Sequence, residues 1–279
     1  MSRRDLSALD RDIAQPLGRI LQEAFAHGID CELIFGGLLA GGTEQGLYEI
    51  STTQNYVLGT RRVTPDGRSY RYSKSAGACY TGQLAGITQD KAIAAVSAAA
   101  IAEGASEITF ATQTFAADAL KGGFIVIFGN PDSAPNNANC PLRGILSNDV
   151  CDASTLTITM DAALELDIET AQYCEVYYNP WGALSTAGGS NAMSFAGVAN
   201  AYVSAASKYF WCQTWGPCWI APQVASFASG AHRDCYCRHD GSIQDLGNSD
   251  VYDTNKQRIG FIIQANLTAG PLVMLQISP

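Results

Sequence analysis

The hydrophobic pattern changes period once along the chain, from helical to alternating. Leu6, Leu9, Ile13, Leu17, Ile20, Leu21 and Phe25 recur at helical spacing and make one apolar stripe. Ser2 and Asp5 fit a capping box, and Gly28 stands where a C-terminal cap belongs, so a helical arm is expected over 1–28. Pro16 should kink this arm or restart it as a second short helix. The arm either packs on its own domain or reaches a neighbouring subunit, and the pattern favours neither.

Beyond it the period is that of strands. Residues 31–36 and 47–51 read as strands around a glycine-rich turn, Gly36 to Gly42. GTRRVT, then Pro65-Asp66-Gly67, then RSYRYSK is a hairpin signal, because proline presets the turn and glycine supplies the positive φ. Its second strand alternates Arg68, Tyr70 and Tyr72 with Ser69, Arg71 and Ser73, predicting one partly aromatic face and one polar face. The alanine-rich stretch 91–102 could be helix or strand, with strand the reading for its first half. EITFAT after Gly104 alternates as a strand, FIVIF at 124–128 reads as fully buried, and TLTITM at 155–160 puts Leu156, Ile158 and Met160 on one face. CEVYYNP at 174–180 is a strand closed by Pro180.

Two loops stand out by composition, 130–141 and 185–194, and the second marks a boundary. Further strands follow at 209–221, with a Gly-Pro turn at 216–217, and at 258–266 and 271–277; the polar stretch 222–257 reads as a long insertion. The expected organisation is a helical arm (1–28), a β region with the Asp-Gly hairpin (29–184), and a C-terminal β region (185–279). The expected fold class is mainly β, with antiparallel β-sandwich or barrel regions and a short N-terminal helical arm.

Composition narrows the function more than the fold. At 279 residues the chain can bury roughly three quarters of its unfolded surface, so a core needs no metal or disulfide. Charged residues make up 15%, against about 25% in an average soluble domain, so much of the surface is small and polar or is covered by other subunits. A net charge of −9 argues against gripping nucleic acid, since phosphate neutralisation needs Lys and Arg. No apolar run approaches the length of about 18 residues that suggests a membrane span, and acids interrupt the N-terminal segment where a signal peptide would be apolar. Folding in a cytoplasm is therefore expected, with the nine irregularly spaced cysteines as thiols.

Candidate chemistry is sparse. His232, Cys235, Cys237 and His239 are all residue types that bind zinc, but Cys-x-Cys puts both thiols on one strand face, whereas zinc knuckles use wider spacing. The plainer reading is two cysteines beside two surface histidines, and no metal site is assigned. Glu165, Asp167 and Glu169 alternate with Leu164, Leu166 and Ile168, an acidic row roughly 7 Å apart along a strand. Glycoside hydrolysis takes its acids from two sides of a cleft, so a solvated face is the better reading. His27 suits a helix C-terminus, no G-x-S-x-G elbow occurs, and the run Gly36–Thr43 lacks a phosphate-binding lysine. Asn266-Leu267-Thr268 spells a glycosylation acceptor that a cytoplasmic protein does not use. Tyr209, Phe210, Trp211, Trp215 and Trp219 could stack sugars if one strand ran through Gly216-Pro217, while a core or a subunit interface accounts for them equally well. No catalytic residue and no cofactor is assigned.

The stretch STTQNYVLGTRRVTPDGRSYRYSKSAGA at 51–78 and the run Gln213-Thr214-Trp215-Gly216-Pro217 resemble a family of tailed-bacteriophage head proteins, the capsid decoration or cement proteins. Weaker similarity follows in order through GASEITFAT, KGGFIVIFG, STLTITMDAAL, CEVYYNPWG and the closing GFIIQANLTAGPLVMLQIS, so the resemblance covers about 51–279. The N-terminal arm, the cysteine content and the 222–257 insertion depart from the family pattern. The resemblance implies a non-enzymatic virion subunit, assembled in the bacterial host cytoplasm, that binds the major capsid protein and stabilises the head shell. It also implies a homo-oligomer, a trimer by preference, with no nucleic-acid or membrane partner. A tail- or fibre-associated receptor- or carbohydrate-binding protein is the alternative, and a hydrolase comes third.

Overall fold

A computed structural model describes residues 44–128, 140–165, 167, 173–186, 194–222, 233–238, 240–244, 257–264 and 270–279. The 1–28 arm, the 31–36 strand, the Gly36–Gly42 turn, His27 and Asn266–Thr268 lie outside these residues. The protein is mainly β, all strand pairs are antiparallel, and no helix occurs among the described residues.

The strands fall into two sheets. The larger contains β1 (Arg61–Val63), β2 (Ser69–Lys74), β3 (Gln83–Ile87), β10 (Leu184–Ser185), β11 (Phe195–Ala199) and β12 (Tyr209–Trp219). It continues through β13 (Asp234–Cys237), β14 (Ile243–Gln244), β15 (Arg258–Gln264) and β16 (Leu272–Gln276). Its main path runs β10-β3-β11-β12-β16-β15-β13-β14, with β2 also on β12 and β1 on β2, and it curves into a half-barrel. The smaller sheet holds β4 (Lys91–Val96), β5 (Glu107–Phe115), β6 (Phe124–Phe128), β7 (Leu142–Asn148), β8 (Cys151–Met160) and β9 (Tyr173–Tyr177), in the order β4-β9-β6-β7-β8-β5. Its end strands nearly meet, since Ala98 N, just past β4, donates to Thr109 O in β5 at 2.8 Å, so this sheet is a nearly closed barrel.

The barrel is an insertion in the chain of the half-barrel. Its first and last strands pair with each other (Ile93 opposite Val176), so it begins and ends at one place. The chain leaves the large sheet after β3 and re-enters at β10, which pairs back onto β3. The two connections touch, with Thr88 N and Oγ1 both donating to Ala183 O at 3.0 Å. Asn179 ties the return to the host, accepting from Trp181 N (2.9 Å) and donating to Leu58 O (3.2 Å). Sheet membership thus does not follow chain order: the Asp-Gly hairpin pairs with β12, and residue 184 falls inside β10.

Each sheet has its own core. The barrel core is aliphatic with one large ring, Phe110 beside Ile108, Ile125, Ile127, Leu156 and Ile158, drawn wholly from 93–176. In the half-barrel, Leu84, Val198, Cys218, Ile220 and Val273 make one cluster and Cys79, Ala85, Phe210 and Cys212 another. A third holds Tyr56, Tyr70, Tyr72 and Trp211.

The expected hairpin forms, with Thr64 N bonding Arg68 O (2.9 Å) and Gly67 at φ +82°, where a side chain would be strained. Its polar face is not solvent-facing: Ser69 and Ser73 are buried. The first half of 91–102 is strand β4, and Leu156, Ile158 and Met160 share a buried face in β8. FIVIF is not fully buried. Ile125 and Ile127 point inward while Phe124 is 41% exposed, because the barrel's outer face is uncovered there. Residues 47–51 form no strand; Ser51 makes a single bridge to Tyr209, and Gln45 holds the segment instead. Gln45 Nε2 donates to the carbonyls of Glu49 (2.8 Å) and Tyr209 (2.9 Å), and its Oε1 accepts from Tyr72 (2.7 Å) and Asn55 (3.2 Å). The 222–257 stretch, read as irregular, contributes β13 and β14 to the large sheet.

Candidate functional site

Of the four candidate metal residues, the two cysteines lie among the described residues. Cys235 and Cys237 point the same way from β13, as the Cys-x-Cys spacing predicts, and both are buried in the core with Leu84, Ile243 and Ile259. His232 and His239 lie outside the described residues. Among the described residues no three His, Cys, Asp or Glu side chains group so as to hold a metal. Burial pushes the thiols of Cys79, Cys174 and Cys218 up to about 12, and that of Cys212 well above its ordinary value. These thiols stay protonated at neutral pH, the reverse of the depressed pKa a nucleophilic or ligating cysteine needs.

The acidic row does not form over its described part. β8 ends at Met160, and 161–165 is a bend from which Leu164 turns inward, its N bonding Ala105 O at 2.9 Å. Asp167 accepts from Glu103 N (2.8 Å), Glu165 lies 3.7 Å from Arg143, and Glu169 is outside the described residues. These acids edge one end of the barrel rather than face one another across a cleft.

The tryptophan row splits for a different reason. No turn forms at Gly216-Pro217; β12 continues through them, with Gly216 opposite Leu275 and Pro217 opposite Met274. Pro217 gives up its N–H, but its carbonyl accepts from Gln213 Nε2 at 2.9 Å. The register slips between Gln213 and Trp215, where β12 exchanges β2 for β16 as partner. A bulge reverses the alternation of faces. Trp211 therefore points into the aromatic core, its Nε1 donating to Gln45 O (3.1 Å), whereas Trp219 points out and is 47% exposed. Trp219 lies across Gly82, where an added Cβ would sit 2.3 Å from the indole ring.

What emerges instead are two outward apolar faces, one on each sheet. On the barrel, Tyr177, Phe124 and Leu142 project from adjacent strands, Leu142 being 55% exposed, and Phe128 and Tyr173 contact each other beside them at 5.4 Å. One polar group sits among them. Lys91 Nζ meets Glu175 Oε1 at 2.8 Å and the Tyr177 hydroxyl bonds the other oxygen, which together hold the Glu175 carboxyl below its ordinary pKa. On the half-barrel, Pro217, Met274 and Phe261 align across three strands next to the Trp219–Leu272 pair. Tyr80 and Tyr202 stack at 5.7 Å, and both are exposed. The alternation in FIVIF and RIGFIIQ is the signal that could have located these faces, because every second residue of a strand at a barrel surface points outward.

No family model, curated protein or solved structure matches the chain.

Proposed function

We propose that the chain is a non-enzymatic structural subunit of a virion, a decoration or cement protein that binds the major capsid protein and stabilises a phage head shell. The observation that carries this reading is the pair of outward apolar faces, Phe124–Tyr177–Leu142 and Pro217–Met274–Phe261, on two separately cored sheets. Large exposed apolar patches mark surfaces that other molecules cover. Two such faces on one subunit suit a molecule that bridges neighbours and raises the cost of separating them. The low charge and the resemblance at 51–78 point the same way.

The test is to count this subunit against the major shell protein in purified particles. A ratio near one, or a simple fraction of it, is expected. A handful of copies per particle would overturn the shell reading and favour the tail or fibre alternative, for which the exposed Tyr80–Tyr202 stack is the specific support. In that case binding should be sought with oligosaccharides, since sugar rings stack on such aromatic pairs.

A further inference from the structure

The charge of this chain is unevenly divided. Residues 91–177 hold eleven acids and three bases, a net −8 of the chain's −9. The hairpin 61–74 holds five bases and one acid, a net +4. Within the hairpin, Arg62 pairs with Glu44, Arg68 with Asp66, and Lys74 lies over the Tyr209 ring. Arg61 and Arg71 differ from Arg62 and Arg68 in lacking any carboxylate partner among the described residues. They stand directly opposite one another on β1 and β2. Like charges so placed destabilise a strand pair. Arg71 bonds only neutral partners, Gly59 O at 3.1 Å and Ser278 Oγ at 3.4 Å, with its guanidinium over the Trp181 ring; Arg61 reaches Ser69 Oγ at 3.5 Å. Burial and the neighbouring Arg61 both work against the Arg71 charge.

The complementary feature lies on the barrel. Segments 101–107 and 161–167 are held together by Gly104 N to Leu164 O and Met160 N to Ser106 O, both at 2.8 Å, and by the Glu103–Asp167 bond. They display Glu103, Glu107, Asp161, Glu165 and Asp167, all exposed, with Arg143 the one base that pairs with any of them among the described residues. No ion pair among the described residues joins this rim to the hairpin of the same chain.

We propose that copies of this chain associate head to tail, the Arg61–Arg71 pair of one copy receiving the carboxylates of the 101–107/161–167 rim of the next. The occupant is a second copy because its carboxylates come in fixed one-to-one proportion with the arginine pair. Nucleic acid, the other polyanion that two arginines would attract, is opposed by a subunit whose barrel carries −8. Two different patches make a heterologous contact, which closes into a ring if the rotation permits and otherwise grows as a filament. Single surface ion pairs add little affinity, so the charges set orientation and encounter rate, and apolar contact at exposed Val63 beside the pair adds to the hold. This deepens the shell-subunit reading by specifying its self-contact, and it rests on that reading only for the purpose of the oligomer.

Sedimentation velocity of the full chain at 50 and 500 mM NaCl tests it. Oligomers are expected at low salt, with association weakened about tenfold or more at high salt as the charges are screened. Arg61→Glu, at an exposed position, should leave the fold intact and give monomer, as should Glu103→Lys with Glu107→Lys. Arg71→Gln is the second hairpin variant, checked by its melting temperature because Arg71 is half-buried. Mixing the Arg61→Glu protein with the Glu103→Lys/Glu107→Lys protein should restore association that neither shows alone. A wild-type monomer at both salts, an oligomer indifferent to Arg61→Glu, or a mixture that stays monomeric would each overturn the proposal. Shell binding is read separately by co-sedimentation with heads: a monomer that still binds shells sinks the head-to-tail contact alone, and an oligomer that binds none sinks the shell reading alone.

Discussion

The half-barrel and the barrel inserted in its chain are both antiparallel β, yet they are stabilised differently. The barrel is built from one unbroken stretch, its strands close on a single core, and among the described residues the side chains buried in that core all come from 93–176. The half-barrel is assembled from pieces on either side of the insertion, and it needs β12 to serve β2, β11 and β16 in turn. Its interior is divided among three clusters, rich in rings and thiols, with a buried polar staple at Gln45. An insertion whose ends meet can fold with little loop to close, whereas the host must wait for partners more than a hundred residues away. The comparison teaches that the barrel is the locally determined part and the half-barrel the part that depends on the whole chain.

Large core truncations break this comparison most sharply. Trp211→Ala removes the largest fully buried side chain of the half-barrel and is expected to cost about 3–5 kcal/mol, and Phe110→Ala costs the barrel a similar amount. Because the cores share no residue, each variant should lower one melting transition and leave the other in place. Calorimetry in which both transitions move together for either variant would show that the two sheets unfold as one unit.

Alkali should separate the sheets next. In the half-barrel, burial pushes Tyr70, Tyr72, Cys79 and Cys218 up to about 12, and raises Cys212 as well. In the barrel, Cys174 is the one buried thiol or phenol among the described residues that is raised to about 12. A group whose folded pKa is raised contributes stability that is complete below its unfolded pKa and is lost as pH climbs through the folded value. Thiols begin to ionise in the unfolded chain near 9 and phenols near 10, so stability should fall between pH 9 and 12, more in the half-barrel than in the barrel. Denaturant midpoints measured across that range, with tyrosinate absorbance as the second signal, check the order.

Gln45→Ala probes the half-barrel's dependence on a distant segment. It leaves the buried Tyr72 hydroxyl and the Asn55 amide without their shared partner, and about 1–3 kcal/mol is expected from orphaning buried polar groups. The barrel transition should not respond. A cost well below 1 kcal/mol would mean that water replaces the amide, and that the 44–56 segment is held by its apolar contacts instead.

What the sequence disclosed divides along the same line. Alternation in TLTITM and the Pro-Asp-Gly turn are local signals, and β8 and the β1–β2 hairpin follow from them. The insertion of one sheet between the strands of the other was not legible, because pairing of β3 with β10 or of β2 with β12 is decided by contacts far apart in the chain. The bulge after Gln213 leaves no local mark, yet it alone sends Trp211 inward and Trp219 outward and so dissolves the expected aromatic platform. FIVIF misled because a run of apolar residues says nothing about whether both faces are covered; here one is not. The Arg61–Arg71 juxtaposition needed the hairpin register, which the turn fixes but composition does not.

The smallest effect on folding carries the most information about docking. Phe124→Ser on the barrel and Phe261→Ser on the half-barrel both alter partly exposed positions on outward faces, so each should lower stability by only about 1 kcal/mol. If a face is the centre of a docking surface, the same substitution should weaken shell binding by roughly 2 kcal/mol, about thirtyfold, because a few buried aromatic anchors carry most interface energy. Co-sedimentation with purified heads reads the difference directly. Loss with Phe261→Ser alone makes the half-barrel's outward face the docking face and leaves the barrel's outward face free of the shell. Loss with Phe124→Ser alone reverses those assignments, and the locally folded barrel would then be the part that grips the shell.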